Sequence, residues 1–345
     1  MLVKVRERET IFTISFAVLM VGSPSVNAQS NYKLANKIHV GGDGGWDYLC
    51  VDEINSRIFV SHSSIAQVID IKTQKLVGTI PDTKGIHGIA IANDLNKGFT
   101  SNGRDSSMTV FNLKTLEIIT KIKVNGQNPD AILYDSFSKR VFTGNGRSAS
   151  FSVVDAVNNK EIGVIPLDGK PEAIVTDGKG KIYVNIEDKS LIDVIDAVAL
   201  KVISRWPIDP GEEPTGLALD NQAHLLFSVC GNKLMVVVDA ITGKVITTLP
   251  IGEGCDGAAF DPMYKRVYSS NGEGTMTVVQ EGNDNTFKVL ETVTTQPGAR
   301  TITIDKTSHH LYMTTAEYES AATEGNRRPP VKPDSFLILD IETLK

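Results

Sequence analysis

A single period governs this chain. One column of residues recurs as Asp47, His87, Asp130, Glu172, Thr215, Asp256 and Arg300, at steps of 40, 43, 42, 43, 41 and 44 residues. Twelve residues after six of these comes an aromatic, namely Phe59, Phe99, Phe142, Phe227, Tyr268 and Tyr312, and the fourth unit has Tyr183 at eleven. Five residues after six of them comes Asp52, Asp135, Asp177, Asp220, Asp261 or Asp305, while the second unit has Asn93 and Asp94 slightly later. A repeat of this length is one supersecondary unit that cannot cover its own apolar faces and stacks on copies of itself.

Each unit holds four short apolar runs. In the fifth they are approximately 216–219, 225–229, 234–238 and 245–249, separated by Asp220 and Asn221, by Gly231 and Asn232, and by the turn 240–243. Val, Ile, Leu and aromatics fill the runs, while Gly, Asn and Asp punctuate them, which is strand and turn chemistry. No later stretch reads as a useful helix, so the pattern predicts an all-β, seven-bladed β-propeller of four-stranded antiparallel blades. The last unit stops after its third strand, at 336–345, and residues 33–40 supply the missing fourth. The ring then closes without an open edge.

Residues 1–28 stand apart from the period. Lys4, Arg6 and Arg8 precede an apolar or small run at 11–22, and Val26, Asn27 and Ala28 place small residues at a cleavage site. This is the pattern of a secretory signal peptide cut after Ala28, with retention as an anchor the weaker reading because the run is short for a bilayer. Residues 29–345 then form one propeller domain in a secreted or periplasmic protein, expected to be a monomer with no membrane span. Removing the leader's net +1 takes the formal charge from −6 to −7. A mildly acidic chain with few aromatics excludes nucleic acid as a partner.

The pieces FTSN at 99–102, FTGN at 142–145, YVNI at 183–186 and YSSN at 268–271, with VVVDAITGKVITTLPIG in the fifth unit, resemble the YVTN repeats of YncE-like seven-bladed propellers. The resemblance covers essentially the whole chain after the leader. It implies a secreted or periplasmic propeller and no particular activity, since such propellers include binding proteins, lyases and quinoprotein dehydrogenase subunits.

Most of the acids have structural explanations. The aspartates five after the column begin first-to-second-strand turns, and Asp70, Asp155, Asp196, Asp239 and Asp340 begin the turns after third strands. The column itself changes residue type from unit to unit, as turn chemistry would not. It precedes the innermost strand and should encircle one mouth of the channel, where the second-to-third-strand loops also bring His62, Asn102, Arg104, Asn145, Arg147, Glu187, Cys230, Asn271 and Glu273. Arg300 falls between Asp256 and Asp47 and can pair with either. Asp47, His87, Asp130 and Glu172 form a candidate divalent-metal set, of the mixed imidazole and carboxylate kind that suits Ca, Mn, Fe or Zn. A solvated polar mouth and a metal-free ligand site, with Thr215 and Asp256 contributing, are the alternatives.

The last unit carries an insertion at 316–335, long for a compact domain and expected to act as a lid over the mouth. Its Glu317, Tyr318, Arg327 and Arg328 could close on a polar or anionic ligand. Cys230 and Cys255 fall on neighbouring blades at the same face and form a candidate disulfide, while Cys50 is expected in the core. His39, His224, His309 and His310 are expected at the surface. The leading reading is an exported module binding a small polar ligand or metal at the mouth. The rivals are a metal-assisted hydrolase or lyase acting on a lactone or sugar, with His87 as base and Arg300 as electrophilic stabiliser, and a protein-interaction platform.

Overall fold

The apolar runs become strands whose burial depends on their place in the blade. Second strands are buried along nearly their whole length, and Leu225–Cys230 is buried throughout, because a twisted sheet in a ring is covered on both faces by its neighbours. Outermost strands alternate, as Lys201–Pro207 does between exposed and partly buried residues. The computed structural model describes residues 30–320 and 329–344. The expected leader at 1–28, and Arg327 and Arg328 of the insertion, lie outside the described residues.

Seven four-stranded antiparallel sheets form the ring. The core is divided into seven apolar clusters, one at each interface between blades. Between blades five and six, for example, Phe227 stacks on Phe260 with ring centroids 5.9 Å apart. The first six blades are built in simple sequence order, whereas the seventh takes Tyr32–His39 as its outermost strand beside Leu337–Thr343, paired from Tyr32 with Thr343 to His39 with Leu337. The closure read from the two ends of the sequence is therefore the one observed.

Tyr32 reaches past its own blade to secure that closure. It is 3% exposed, its hydroxyl donates to Tyr268 Oη at 3.2 Å, and it accepts from Arg266 Nη1 at 2.8 Å. Tyr32→Phe leaves the ring packing intact and strands both partners. It is expected to cost about 1–2 kcal/mol, read as a melting temperature lower by about 2–6 °C; an unchanged melt would show that the network contributes nothing to closure.

The turn aspartates behave as turn chemistry requires. Asp70 Oδ1 accepts from the Thr73 backbone N–H at 2.7 Å and its hydroxyl at 2.8 Å, and Asp239 Oδ1 accepts the N–H groups of Ile241 and Thr242 at 2.8 Å. Asp340 differs, because its Oδ1 pairs with His310 Nδ1 at 2.6 Å. His309 is likewise bound, with Nδ1 2.8 Å from Asp261 Oδ2. The expectation that both were surface residues is corrected: each is partly buried because an aspartate on a neighbouring strand holds it against the blade. His39 and His224 are exposed as expected.

Candidate functional site at the channel mouth

The column residue is the second residue of the innermost strand in six blades: Asp47 in Trp46–Asp52, His87 in Ile86–Ala92, Asp130 in Pro129–Asp135, Glu172 in Pro171–Thr176, Thr215 in Pro214–Asp220 and Asp256 in Cys255–Asp261. Arg300 lies two residues ahead of the short seventh, Ile302–Asp305. Just past the column position the pairing with the second strand slips in all six, for example between Trp46 and Leu49, Ile86 and Ile89, and Pro129 and Ile132. A bulge of this kind breaks the alternation of side chains and re-aims those inside it. Here it lets both Asp47 and Tyr48 face the axis, although adjacent strand residues ordinarily point apart.

Hydroxyls of the second strand secure the bulges. Ser61 Oγ accepts from the Asp47 N–H and donates to the Tyr48 carbonyl, both at 3.0 Å. Ser101 accepts from the Gly88 N–H at 2.9 Å, and Thr143 donates to the Ala131 carbonyl at 3.0 Å. The asparagine that closes the FTSN-like pieces does a second structural job. Asn102 Nδ2 donates to Ser107 and Thr109 at 3.0 Å, Asn145 to Ser150 at 3.1 Å and Ser152 at 3.2 Å, and Asn271 to Thr275 and Thr277 at 3.0 Å. His62 fills the same slot in the first blade, with Nδ1 2.8 Å from Gln67 Oε1 and its ring against Phe336. All four are buried and knit the second strand to the third, so the structure does not place them in the funnel where the sequence reading had them.

At the axis the structure does bring the charged column residues together. His87 Nδ1 lies 2.8 Å from Asp47 Oδ2 and 3.6 Å from Asp130 Oδ1. One ligand atom from each of the three falls within 4.8 Å of the others. Arg300 pairs with Asp256 and lies 3.7 Å from Asp47 Oδ1. On the other side Lys170 bridges Glu172 and Glu187, and the Tyr48 hydroxyl lies 3.5 Å from Glu172 Oε2. Thr215 is not part of this cluster, since its hydroxyl donates to the Cys255 carbonyl at 3.0 Å and ties blades five and six.

The electrostatics are those of crowded, partly dehydrated acids. Five carboxylates, on Asp47, Asp130, Glu172, Glu187 and Asp256, face the cations Lys170 and Arg300 and one imidazole. Two ionised carboxylates about 5 Å apart repel by about 3 kcal/mol at an effective dielectric near 20. Burial raises the Asp256 carboxyl to about 6 against the pull of Arg300. Burial also raises Asp130, against the pull of His87, and raises Glu172 with help from the Asp130 charge. The His87 ring moves up, because burial that would lower it is outweighed by the Asp47 hydrogen bond and the surrounding acids. Burial and the same carboxylates hold the Tyr48 hydroxyl protonated. For Lys170, burial is outweighed by Glu172 and Glu187, so the ammonium stays charged.

Lys170 and Tyr48 are the members the sequence reading missed. Lys170 precedes Glu172 by two residues in a connecting loop, and only its reach across to Glu187 reveals it. Among the other expected residues, Arg104 and Arg147 are exposed side chains of the loops on this face. Glu273, Glu317 and Tyr318 line a separate cavity of about 560 Å³ with Gln296, Pro297 and Lys332, over blades six and seven. The described parts of the insertion pair there, through the Tyr318 to Val331 bridge and a Glu317 to Lys332 contact of 3.2 Å.

The cysteines are free. The expected Cys230 to Cys255 disulfide is corrected: Cys255 Sγ is directed at the Cys230 carbonyl oxygen at 3.2 Å, and both thiols are buried and raised by that burial. Intact mass is expected to be the same with and without reductant, with three titratable thiols after unfolding; a mass change of two hydrogens would restore the bridge. Cys50 packs against the apolar cluster between blades one and two, as expected, while one side of it meets the channel wall. Below the charged cluster the channel holds a cavity of about 190 Å³ around Tyr48, Cys50 and Ile174. It widens to about 590 Å³ toward the opposite face, at Glu53, Gln222 and Lys306.

No family model matches the chain, and no curated protein sequence does. Among solved structures it is similar to hydrazine synthase of Kuenenia stuttgartiensis, with a TM-score of 0.70 and 16% identity over 80% of this chain and 94% of that one. That likeness is one of fold.

Proposed function

We propose that the protein is an exported, YncE-like propeller whose channel mouth binds a divalent cation, or a small polar ligand held through one, at Asp47, His87 and Asp130. The observation that carries this reading is the convergence of one imidazole and two carboxylates from three different blades within 4.8 Å. Metal to nitrogen and oxygen bonds of about 2.0–2.4 Å span ligand separations of that size. A cation there would also offset the repulsion between Asp47 and Asp130, and the mixed donor set suits Mn, Fe or Zn. Glu172, protonated toward neutrality, stands beside the set as a further oxygen donor. The leader-like residues 1–28 support export, and the FTSN, FTGN and YSSN pieces support the YncE-like kinship.

The test is elemental analysis of protein purified without chelator, together with melts before and after EDTA. About one equivalent of metal, and a melting temperature that falls with EDTA and returns on adding Mn²⁺ or Zn²⁺, are expected. Absence of metal with no response to any added cation would remove the reading. Hydrolase or lyase chemistry at the same mouth is a second reading, favoured by the raised Glu172 carboxyl as a proton donor near His87. It predicts turnover on a lactone or polysaccharide panel that His87→Ala abolishes without loss of fold.

A further inference from the structure

The seventh blade departs from the other six at one connection. Second and third strands are joined by two to four residues in the first six blades, but by the stretch from Thr315 to Leu337 in the seventh. A connection of that length in a compact domain ordinarily carries function. Its two described limbs are ordered against each other: the Glu319 N–H donates to the Pro330 carbonyl and the Lys332 N–H to the Glu317 carbonyl, both at 2.8 Å. Ser335 Oγ accepts from the Glu317 N–H at 3.2 Å and donates to the Lys332 carbonyl at 2.7 Å. These limbs wall the cavity of about 560 Å³ at the seam of blades six and seven, a volume ordinary for a small-molecule pocket. A Cβ at Gly298 would overlap the Tyr318 hydroxyl, so glycine at that position is what lets the phenol lie across the connection between the two blades.

We propose that this cavity is a ligand site separate from the mouth, and that its ligand is a neutral oligosaccharide. Its charges balance: Lys37 and Lys332 bring two ammonium groups, Glu273 and Glu317 two carboxylates, so neither an anion nor a cation is favoured. Each of these groups is engaged on one side only. Glu273 Oε1 accepts from the Thr275 hydroxyl at 2.8 Å, and Glu317 Oε2 faces Lys332 at 3.2 Å, which leaves the second oxygen of each to accept from a ligand. Lys37 Nζ donates to Gln296 Oε1 at 2.7 Å, and since an ammonium has three donors, both lysines keep N–H groups to offer. A ligand hydroxyl donates and accepts at one atom, and so answers carboxylates and ammonium groups placed side by side. Between these polar corners Tyr318, Pro297 and Pro329 present apolar surface. The face of a phenol ring is negative; the C–H groups of a sugar ring, polarised by the oxygens they flank, pack on such a face while the hydroxyls at the ring's edge reach the charged residues. A purely apolar ligand would cover Tyr318 and the prolines but dehydrate the four charges without partnering them.

Calorimetric titration of the purified protein with maltotriose, cellotriose and the trimer of N-acetylglucosamine, all neutral, tests this. Saturable binding of at least one is expected, and it should be unchanged by EDTA. Tyr318→Ala is expected to weaken that binding about tenfold, whereas Tyr318→Phe, which keeps the ring, should hold it close to the parent value. Asp130→Asn, at the mouth, should bind the sugar as the parent does, with melting curves confirming that every variant folds. No saturable binding of any of the three at millimolar concentration would overturn the proposal. So would loss of binding in Asp130→Asn with retention in Tyr318→Ala, since the sugar would then occupy the mouth, and so would tighter binding of a uronic acid trimer than of the neutral three. Should Tyr318→Ala not fold, Glu273→Ala, at an exposed side chain outside the insertion, gives the same comparison, with weaker binding expected and unchanged binding against the proposal.

Discussion

Asp130→Asn is expected to make the cation-free protein more stable while removing its response to a divalent cation. Asp130 carries a carboxyl that burial pushes up, within 3.6 Å of His87 and in the same small cluster as Asp47. At pH 8 that carboxyl is largely ionised despite its surroundings, so replacing it with a neutral amide of the same shape relieves repulsion among the mouth acids. A gain of about 1–2 kcal/mol follows from a shift of this kind, seen as a melting temperature higher by about 2–6 °C in EDTA. The parent protein, by contrast, gains about 2.7 kcal/mol from a cation at 100 times its dissociation constant, and the variant loses that gain with its ligand. The two melting curves should therefore cross as cation is added. Loss of stability in EDTA would show instead that Asp130 is a structural partner of His87, and the cation reading would fall.

The repeat made the fold legible because seven blades must pack alike, and packing leaves a periodic record. The column was legible for the complementary reason: inside a fixed frame, Asp47, His87, Asp130, Glu172, Asp256 and Arg300 differ in kind, and the structure gathers them at the axis. What failed was the assumption that a residue at the end of a second strand faces the funnel. Asn102, Asn145 and Asn271 are the last residues of those strands, and their amides turn sideways to bind hydroxyls of the third. Their repetition was itself the warning, since an identical side chain in several blades signals a task common to all blades. Tyr48 escaped because strand alternation assigns it the face opposite Asp47, and a bulge, which sequence does not announce, cancels the alternation. Lys170 escaped because a loop lysine with a long side chain has no fixed direction until Glu172 and Glu187 supply it.

Stability of the cation-free protein is expected to fall as pH rises from about 5 to 8, opposite to what a chain dominated by ion-paired carboxylates would do. Three carboxyls outside the coupled Asp130 and Glu172 pair set the window: burial raises Asp256 to about 6, Asp193 to about 6 and Glu281 to about 7. A carboxyl raised in the folded state keeps its proton after the unfolded chain has lost it. The folded state then binds more protons between the two values, and the derivative of unfolding free energy with pH is negative there. The contribution is fully present below about pH 4 and is lost progressively up to the folded value. His87 and His310 add to the same trend. For His87, burial that would lower the ring is outweighed by the Asp47 hydrogen bond, and for His310 the Asp340 hydrogen bond leads; both rings are raised, so their stabilisation is full at low pH and disappears as pH climbs through the folded value. On the acid side, Asp70, Asp155 and Asp196 are held low chiefly by backbone N–H donors in their turns. Their stabilisation vanishes as pH drops below 4, which places the optimum near 5. With partial solvation discounted, the fall to pH 8 should amount to a few kcal/mol, measurable by urea unfolding across the range in EDTA. Because Asp193 and Glu281 lie away from the mouth, Asp130→Asn should flatten the profile only in part, and saturating divalent cation should flatten the same part. A profile that rises from pH 5 to 8 would mean that the mouth acids stay ionised and paired in the folded protein throughout, and would remove the electrostatic argument for a cation.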